Sequence, residues 1–268
     1  MTSPLPRRLP IIPDHKSGDL KKTLDEIYLK VNTKGFIIND PVQFPHRYKK
    51  KEDVEIAAFL AATIAWGRRD IIIRNCDRMF GMMKDGPHAF VMSGDFKKLG
   101  TKCVHRTFNE NDLKYYCLGL QYCYSEYGDL ESLFASALRG DTAAKTVWDG
   151  MILFRETIAR GNKGLYSIHI ADAASNSACK RLNLALRWLV RKGPVDLGIW
   201  KSITPASLYI PLDVHVGRIA RRLDLLDPAR KSNDKKAVLM LTGKLRGFCP
   251  EDPVKYDFAL FGIGAGEV

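Results

Sequence analysis

Apolar residues recur along most of the chain at the three- and four-residue spacing of a helix. In residues 52–67, EDVEIAAFLAATIAWG, acidic residues open the pattern and Gly67 would end it. The apolar face of this helix would carry Ile56, Phe59, Leu60, Thr63 and Ile64. The segments with the same signal are 70–84, 110–128, 129–140, 143–160, 175–193, 213–226, 233–248 and 252–264. Because we find no alternating segments joined by hairpin turns, the pattern predicts an all-α fold of about nine or ten helices.

The length and charge of the chain limit the number of its domains and the kind of partner that it is expected to bind. With 268 residues, it is long enough for one large domain or two small ones. It carries 42 Lys and Arg against 30 Asp and Glu, a formal net charge of +12. A surplus of this size predicts an acidic partner, and nucleic acid is the commonest one. The alternative is an ordinary protein whose basic surface has no such partner.

The cysteines, the histidines and the first residues indicate a simple cytoplasmic protein. Six cysteines are scattered through apolar segments, no two of them are spaced as C-x-x-C, and the six histidines form no H-E-x-x-H pattern. We therefore expect buried thiols in a reducing compartment, with no metal, no iron–sulfur cluster and no other cofactor. Residues 1–16 lack a long apolar stretch, so we expect them to be a flexible basic leader rather than a signal or a membrane segment.

The segment IPLDVHVGRIARRLDLL, residues 210–226, places the carboxylate of Asp213 at the predicted start of a helix. The buried stripe of this helix would be Val216, Ile219, Ala220 and Leu223. Its basic side would carry His215, Arg218, Arg221 and Arg222. Asp213 has two interpretations. It can be an N-cap of the backbone, which is a common role of Asp at this position, or an acid that does chemistry on a polyanion at the positive end of the helix.

A second predicted helix, SACKRLNLALRWLVRK, combines an apolar face with one polar stripe. The members of the stripe are Lys180, Asn183, Arg187 and Arg191. A lysine is a nucleophile only when it is neutral. The positive charges of Arg181 and Arg187 would disfavour a positive charge on Lys180. Lys180 is therefore a candidate nucleophile, and the alternative is an exposed surface lysine.

Three further side chains are candidates for contact with a base. Phe44 and His46 lie in DPVQFPHRYKKKED, a predicted loop whose aromatic and basic residues suit contact with DNA or with a flipped base. The alternative is a solvated loop before a helix. Trp66 could stack on a base or fill the core, and its helical spacing favours the core.

These motifs resemble those of the helix-hairpin-helix (HhH-GPD) superfamily of base-excision DNA glycosylases. PLDVHVGRIARRL is similar to the superfamily stretch Asp-x-His-Val-x-Arg that ends in Arg-Leu, in which the aspartate is catalytic and starts a helix. FLAATIAWGRRDIIIRNCDRM is similar to an early helix pair of the superfamily, with Asp70 as the shared aspartate. Gly67 stands where the superfamily has a glutamine, so the base-wedging role of that glutamine does not carry over.

The chain also departs from the usual superfamily pattern. No hairpin of the form L-P-G-V-G-x-x-T-A precedes Asp213, and Lys180 lies 33 positions before Asp213. A lysine far upstream on a helix is similar to the archaeal 8-oxoguanine glycosylase branch. SACKRLNLALRWLVRK and PVKYDFALFGIG further resemble a bacterial family of unknown function related to this superfamily, over nearly the whole chain.

The resemblance implies a fold of two lobes. Residues 17–52 and 205–268 would form a terminal lobe, and residues 53–204 a helical barrel that includes an atypical hairpin region. It also implies a monomeric DNA glycosylase, with or without AP-lyase activity, that removes a damaged purine such as 8-oxoguanine from duplex DNA. In that role Asp213 would stabilise the cationic sugar and Lys180 would attack its C1′ atom. The DNA-binding residues would be Arg187, His215, Arg218, Arg221 and Arg222.

Two other functions stay open at this stage. A nucleic-acid-binding protein on the same fold, without catalysis, agrees with the missing hairpin and the missing glutamine. A helical interaction protein with an incidental basic surface agrees with the charge alone.

Overall fold

The computed structural model describes residues 17–139 and 145–266. In these residues there are twelve α-helices. They are α1 Ser17–Val31, α2 Lys34–Ile38, α3 Lys51–Thr63, α4 Arg69–Phe80, α5 Pro87–Ser93, α6 Glu110–Tyr127, α7 Leu130–Ala137, α8 Val147–Gly161, α9 Lys180–Val190, α10 Val214–Arg222, α11 Lys235–Phe248 and α12 Tyr256–Ala265. The prediction of an all-α fold is confirmed. The periodic segments do not include α1, α2 and α5, and of these α2 and α5, with five and seven residues, are too short to show periodicity.

A small antiparallel hairpin, β1 Cys103–His105 and β2 Phe108–Asn109, lies between α5 and α6. Strands of three and two residues are too short to show alternation, which explains why the sequence pattern did not reveal them. Arg106 at the turn has a φ of 52°, in the left-handed region, and it directs the chain back on itself. This hairpin matters for the site because its turn reaches the rim of the cavity described below.

Helix α9 is the centre of the fold and is buried on almost every side. Its apolar residues Leu182, Ala185, Leu186 and Leu189 are buried, as the sequence pattern predicts. The helix packs on α3, while α8 packs on α6 and α7. The terminal helices α1 and α10 both pack on α12. The expected boundaries of the two lobes, at residues 52/53 and 204/205, stay a prediction.

The start of α9 differs from the sequence prediction. The periodic segment 175–193 was expected to be helical from its start, but the helix begins at Lys180. Cys179 has a φ of 46°, in the left-handed region, which a helical residue does not adopt. The preceding residues form turns instead: the Ser177 hydroxyl accepts a hydrogen bond from the Cys179 amide at 3.2 Å. Short polar side chains that bond to nearby backbone compete with the helix in this way.

The predicted leader, residues 1–16, lies outside the described residues. Within residues 17–139 and 145–266, no helix has the length and apolar character that a bilayer crossing requires.

Candidate functional site

A cavity of about 880 Å³ opens where the end of α3, the first turns of α9, the start of α10 and one side of α12 meet. Its apolar walls include Phe36, Leu184, Phe258 and Phe261. The charged and imidazole side chains that line it are Asp40, Arg68, Arg69, Arg106, Lys180, Arg187, Asp213, His215 and Asp257. A hollow of this size is in the range that takes a drug-sized or nucleotide-sized ligand.

Lys180 and Asp213 meet at the wall of this cavity, although 32 residues separate them along the chain. The Nζ atom of Lys180 lies 3.2 Å from Oδ2 of Asp213, and the side chains are 32% and 17% exposed. Lys180 is the first residue of α9, and the left-handed Cys179 before it is buried. Both side chains line the cavity and are partly exposed, so a ligand in the cavity can contact the pair.

The N-cap role that the sequence left open for Asp213 is confirmed, and its role as an acid stays a prediction. Its Oδ1 atom accepts hydrogen bonds from the backbone amides of His215, at 2.9 Å, and Val216, at 2.8 Å, and so caps α10. Its Oδ2 atom faces Lys180. The backbone carbonyl of Asp213 accepts a hydrogen bond from Nδ2 of Asn233 at 3.0 Å. Because one oxygen is fixed by the helix and the other is directed to the lysine, the carboxylate has a defined orientation towards the cavity.

Arg187 does not have the DNA-contacting role that was predicted for it. Both Arg187 and Arg191 are buried and lie in a cluster with three aspartates. Arg187 pairs with Asp257, and its Nε atom donates to Asp196 at 3.3 Å. Arg191 pairs with Asp196, and its Nη2 atom donates to Asp252 at 2.7 Å. The two arginines of the polar stripe therefore face carboxylates that come later in the chain, and both guanidinium groups are buried.

Asp257 is the member of this cluster that also lines the cavity. The cluster holds three carboxylates and two guanidinium groups, and only the Asp252 carboxylate is partly exposed. Burial raises the pKa of Asp257 to about 6; the Arg187 guanidinium opposes this change, and the negative charge of Asp213 adds to it. The charge of Asp257 therefore acts both on Arg187 in the cluster and on the Lys180–Asp213 pair.

We expect Asp257→Asn to flatten the pH dependence of stability. A carboxyl whose pKa rises on folding, here from 3.8 to about 6, contributes stability that is complete below the lower value and is lost as the pH rises through the higher one. The difference in free energy of unfolding, wild type minus variant, should fall by about 2 kcal/mol between about pH 4.5 and 7.5. Urea unfolding at both pH values measures this difference, in which other titrating groups cancel. A constant difference would contradict the assignment.

A comparison with models of protein families identifies the family of this chain. The model of the family described as "Protein of unknown function (DUF2400)" matches residues 40–266. The chain belongs to the DUF2400 family. No curated protein and no solved structure gives a significant match. The matched region contains Lys180, Asp213 and every residue named above as a wall of the cavity except Phe36.

In this DUF2400 protein, Trp66 lies at the cavity wall and is half-buried. The sequence predicted a helix through Gly67 and favoured a core position for Trp66, but α3 ends at Thr63. The His105 ring meets the Trp66 ring edge-on at 4.6 Å, and its Nε2 atom lies 2.9 Å from the Trp66 carbonyl oxygen. The Arg181 guanidinium lies 5.2 Å from the centre of the Trp66 ring. Trp66 is thus fixed from two sides and presents a surface to the cavity.

Phe44 and His46 do not belong to the cavity, and their prediction as base-pocket residues is wrong. Phe44 is 0% exposed and stacks on Phe80 with ring centres 5.3 Å apart. The His46 Nε2 atom lies 2.7 Å from the carbonyl oxygen of Val195. Pro41 and Pro45 start two short 3-10 turns, Pro41–Gln43 and Pro45–Arg47, that pack on α3. The segment expected to be a loop is therefore part of the scaffold.

The basic residues of α10 divide into two groups. The buried stripe of Val216, Ile219, Ala220 and Leu223 is confirmed. His215, Arg218 and Arg222 are exposed, and His215 also lines the cavity. Arg221 instead donates to the carbonyl oxygens of Arg230, Lys231 and Ser232 and to Oδ1 of Asn233. Arg221 therefore holds the loop from which Asn233 reaches Asp213, and the phosphate contact predicted for it is replaced by this positioning role.

Several wall residues were missed by sequence reasoning. Arg68 and Arg106 are exposed cations at the rim. A Cβ atom on Gly67, whose φ is +101°, would lie 2.6 Å from the Arg106 guanidinium. A glutamine at position 67 would therefore be strained and would displace the Arg106 guanidinium. The Gly-Arg-Arg sequence at residues 67–69 could have indicated that Arg68 belongs to the site. Arg106 could not be found in this way, because its position depends on a hairpin that the sequence pattern did not show.

The donor groups of the site are carboxylate, amine and guanidinium rather than a ligand set for a metal. Among residues 17–139 and 145–266, no three or more His, Cys, Asp or Glu side chains are grouped so that they could hold a metal ion.

Proposed function

We propose that this protein is a DNA glycosylase with an associated lyase step, acting on a damaged purine such as 8-oxoguanine. The observation that carries the proposal is the approach of the Lys180 amine to 3.2 Å from the Asp213 carboxylate at the wall of a nucleotide-sized cavity. Among the common reactions of biological polyanions, glycosidic bond cleavage uses this combination of groups. A carboxylate stabilises the developing positive charge on the sugar, and an amine captures C1′.

The chemistry proceeds in balanced steps from these two groups. The bond between C1′ and the purine nitrogen breaks with its electron pair moving to the base, which takes up a proton. Oδ2 of Asp213 faces the cationic sugar that remains, while Oδ1 is kept in place by the α10 amides. Lys180 gives a proton to a base, for which Asp213 is suitably close, and its nitrogen forms a bond to C1′. The C1′–O4′ bond then breaks, O4′ takes up a proton from the nitrogen, and a Schiff base results. Loss of a C2′ proton to a base forms a C2′–C3′ double bond as the 3′ carbon–oxygen bond breaks and the phosphate leaves with its electron pair.

The charge and shape of the surroundings support the same substrate. The net charge of +12 favours a polyanion, and Arg106 places part of this charge at the rim of the cavity, where Arg68 is paired with Asp70. Trp66 offers a fixed aromatic surface on which a base could stack, with Phe261 among the apolar walls. A base leaves the duplex stack when it enters such a pocket, and a damaged or mispaired base does so at the lowest cost.

One observation favours a second candidate, a nucleic-acid-binding protein without catalysis. In the structure Lys180 is paired with Asp213, and a paired ammonium group is not a nucleophile. The same cavity and the same basic rim would then bind an extruded nucleotide without cleaving it.

Borohydride trapping and binding on the same oligonucleotides test the proposal. Borohydride reduces a Schiff base to a stable covalent link, so we expect an adduct with duplexes that carry an abasic site or 8-oxoguanine and none with undamaged duplex. Binding without an adduct on a panel of lesions would favour the second candidate. A lack of binding even at about 50 mM salt, where phosphate contacts are strong, would contradict both.

A further inference from the structure

The chain that leads from α10 into α11 passes beside the first turn of α10, and we call its residues 230–235 the strap. Arg221 of α10 fixes the strap, because its Nε atom donates to the carbonyl oxygen of Arg230 at 2.5 Å. Its Nη2 atom donates to the carbonyl oxygen of Ser232 at 3.0 Å and to Oδ1 of Asn233 at 2.8 Å. A guanidinium group carries its donors in one rigid plane, so bonds to several acceptors of one segment fix the position and the orientation of that segment.

One part of the strap is bound to the backbone of Asp213. Nδ2 of Asn233 donates to the carbonyl oxygen of Asp213 at 3.0 Å, and the Gly217 amide donates to the same oxygen at 2.8 Å. A Cβ atom on Gly217 would overlap Oδ1 of Asn233, so the glycine leaves room for this side chain. The peptide that carries the Asp213 carboxylate is therefore fixed by α10 on one side and by the strap on the other.

The end of the strap is bound to the segment that leads into Lys180. Oδ2 of Asp234 accepts a hydrogen bond from Nδ2 of Asn176 at 3.2 Å, and the Lys235 amide donates to the carbonyl oxygen of Asn176 at 3.1 Å. Nζ of Lys235 donates to the carbonyl oxygen of Ala173 at 3.1 Å. Asn176 lies four residues before Lys180 in the chain. The strap therefore joins the start of α9 to the start of α10.

The two helices that carry the reactive pair have their main packing partners elsewhere. Helix α9 packs on α3, and α10 packs on α12. A second cavity, of about 420 Å³, lies between the strap and the start of α9, and its walls include Asn176, Lys180, Asn233 and Asp234. Lys180 and Asn233 line both cavities. The hydrogen bonds of the strap, rather than close packing, therefore connect the two segments behind the pair.

We propose that Arg221 and Asn233 are positioning residues that set the approach of the Lys180 amine to the Asp213 carboxylate through the strap. The proposal rests on the proposed function for its effect on catalysis, whereas the arrangement itself belongs to the protein without DNA. Loss of the Asn233 hydrogen bond lets the Asp213 peptide move away from Lys180. Because a reaction tolerates a displacement of about 1 Å poorly, base release should slow by about 10- to 100-fold, while DNA binding changes little.

Zero-length crosslinking with a water-soluble carbodiimide tests the strap in the free protein. The reagent activates a carboxylate, and an amine that touches this carboxylate displaces the reagent and forms an amide. Wild-type protein should give a linked pair of peptides that contain Lys180 and Asp213. Asn233→Ala should lower this yield by about 5-fold, which is the effect of one lost hydrogen bond. Lys51 and Asp129, whose Nζ and Oδ2 atoms lie 2.8 Å apart, provide a reference in the same molecule, and their yield should not change.

A double-mutant cycle measures whether Asn233 acts through Asp213. Asn233→Ala should slow single-turnover release of base from an 8-oxoguanine duplex by about 10- to 100-fold. In protein that already carries Asp213→Asn, the same substitution should cost less than about 2-fold, because the charge that Asn233 positions is absent. A general structural defect would slow both proteins equally, and this result would contradict the positioning role.

Gly217→Ala disturbs the strap without removing a polar group. Alanine favours a helix more than glycine does, so α10 should keep its structure while the added Cβ atom displaces Asn233. We expect slower base release and a lower yield of the Lys180–Asp213 crosslink. Gly243→Ala on α11 is the matched control, because a Cβ atom there meets nothing within 4 Å, and it should behave like the wild type.

The crosslinking and the base-release assays fail in different ways. Wild-type protein without the Lys180–Asp213 crosslink, or equal yields from the wild type and Asn233→Ala, would overturn the strap, whatever the activity of the protein on DNA. A crosslink that depends on Asn233, in a protein that releases no base, would support the strap and reject the glycosylase. Failure of the strap and failure of the proposed function are therefore distinguishable.

Discussion

Replacing Lys180 with glutamine is expected to lower the yield of borohydride-trapped adduct by more than about 1000-fold. The amide nitrogen of glutamine is not nucleophilic, so no bond to C1′ can form. Glutamine can still donate a hydrogen bond towards Asp213, and the half-exposed pair contributes little to stability, so the free energy of unfolding should change by less than about 1 kcal/mol. The measurement is the fraction of labelled abasic oligonucleotide that becomes covalently linked after a fixed time.

Lys236 provides the control for this substitution. It lies on α11, is exposed and does not line the cavity. Lys236→Gln removes the same charge from the protein, so it corrects for a general loss of attraction to DNA. We expect wild-type adduct yield from Lys236→Gln. A Lys180→Gln protein that forms as much adduct as this control would remove Lys180 from the mechanism.

Replacing Asp213 with asparagine is expected to slow release of the damaged base by about 100- to 1000-fold. The substitution removes the negative charge that would face the cationic sugar and leaves the shape of the side chain almost unchanged. Asparagine is as good an N-cap as aspartate, so α10 should keep its start and the stability loss should stay within about 1 kcal/mol. Single-turnover release of base from an 8-oxoguanine duplex separates this step from binding and from the lyase step.

Asp129 offers a closely matched control for Asp213. It also caps a helix, α7, where its Oδ1 atom accepts from the Ser132 amide at 2.6 Å. It also pairs with a lysine, since the Lys51 Nζ atom lies 2.8 Å from its Oδ2 atom. Asp129→Asn therefore removes a carboxylate that caps a helix and pairs with a lysine, as Asp213→Asn does, but at a position away from the cavity. Equal rates of base release for the two variants would show that Asp213 is only a structural cap.

Local periodicity was sufficient to predict nine of the twelve helices in the described residues, but not α1, α2 and α5. Helix α10 illustrates this, because the spacing of Val216, Ile219 and Ala220 alone identifies its inward face. From the sequence alone, the approach of Lys180 to Asp213 was a hypothesis, because no local pattern relates residues so far apart in the chain. Their meeting depends on how α9 and α10 pack around the cavity, which is a property of the tertiary fold.

The failed predictions share one physical cause, which is tertiary neighbours that local spacing cannot reveal. Arg187 looked like a solvent-facing cation, but its partners Asp196 and Asp257 come 9 and 70 residues later and permit its burial. Phe44 was predicted to lie in a loop that contacts DNA. Instead, Pro41 and Pro45 start two short 3-10 turns that pack against α3, and Phe44 stacks on Phe80. Trp66 was expected within a helix, but α3 ends three residues before it, and Trp66 packs against the core on one side and lines the cavity on the other.

The most direct measurement of the central claim is the position of the covalent bond between protein and DNA. Wild-type protein is trapped with borohydride on an abasic duplex, digested, and the modified peptide is sequenced by mass spectrometry. The account predicts that the reduced sugar remnant is attached to Nζ of Lys180. Attachment to another amine of the protein, with Lys180 unmodified, would contradict it.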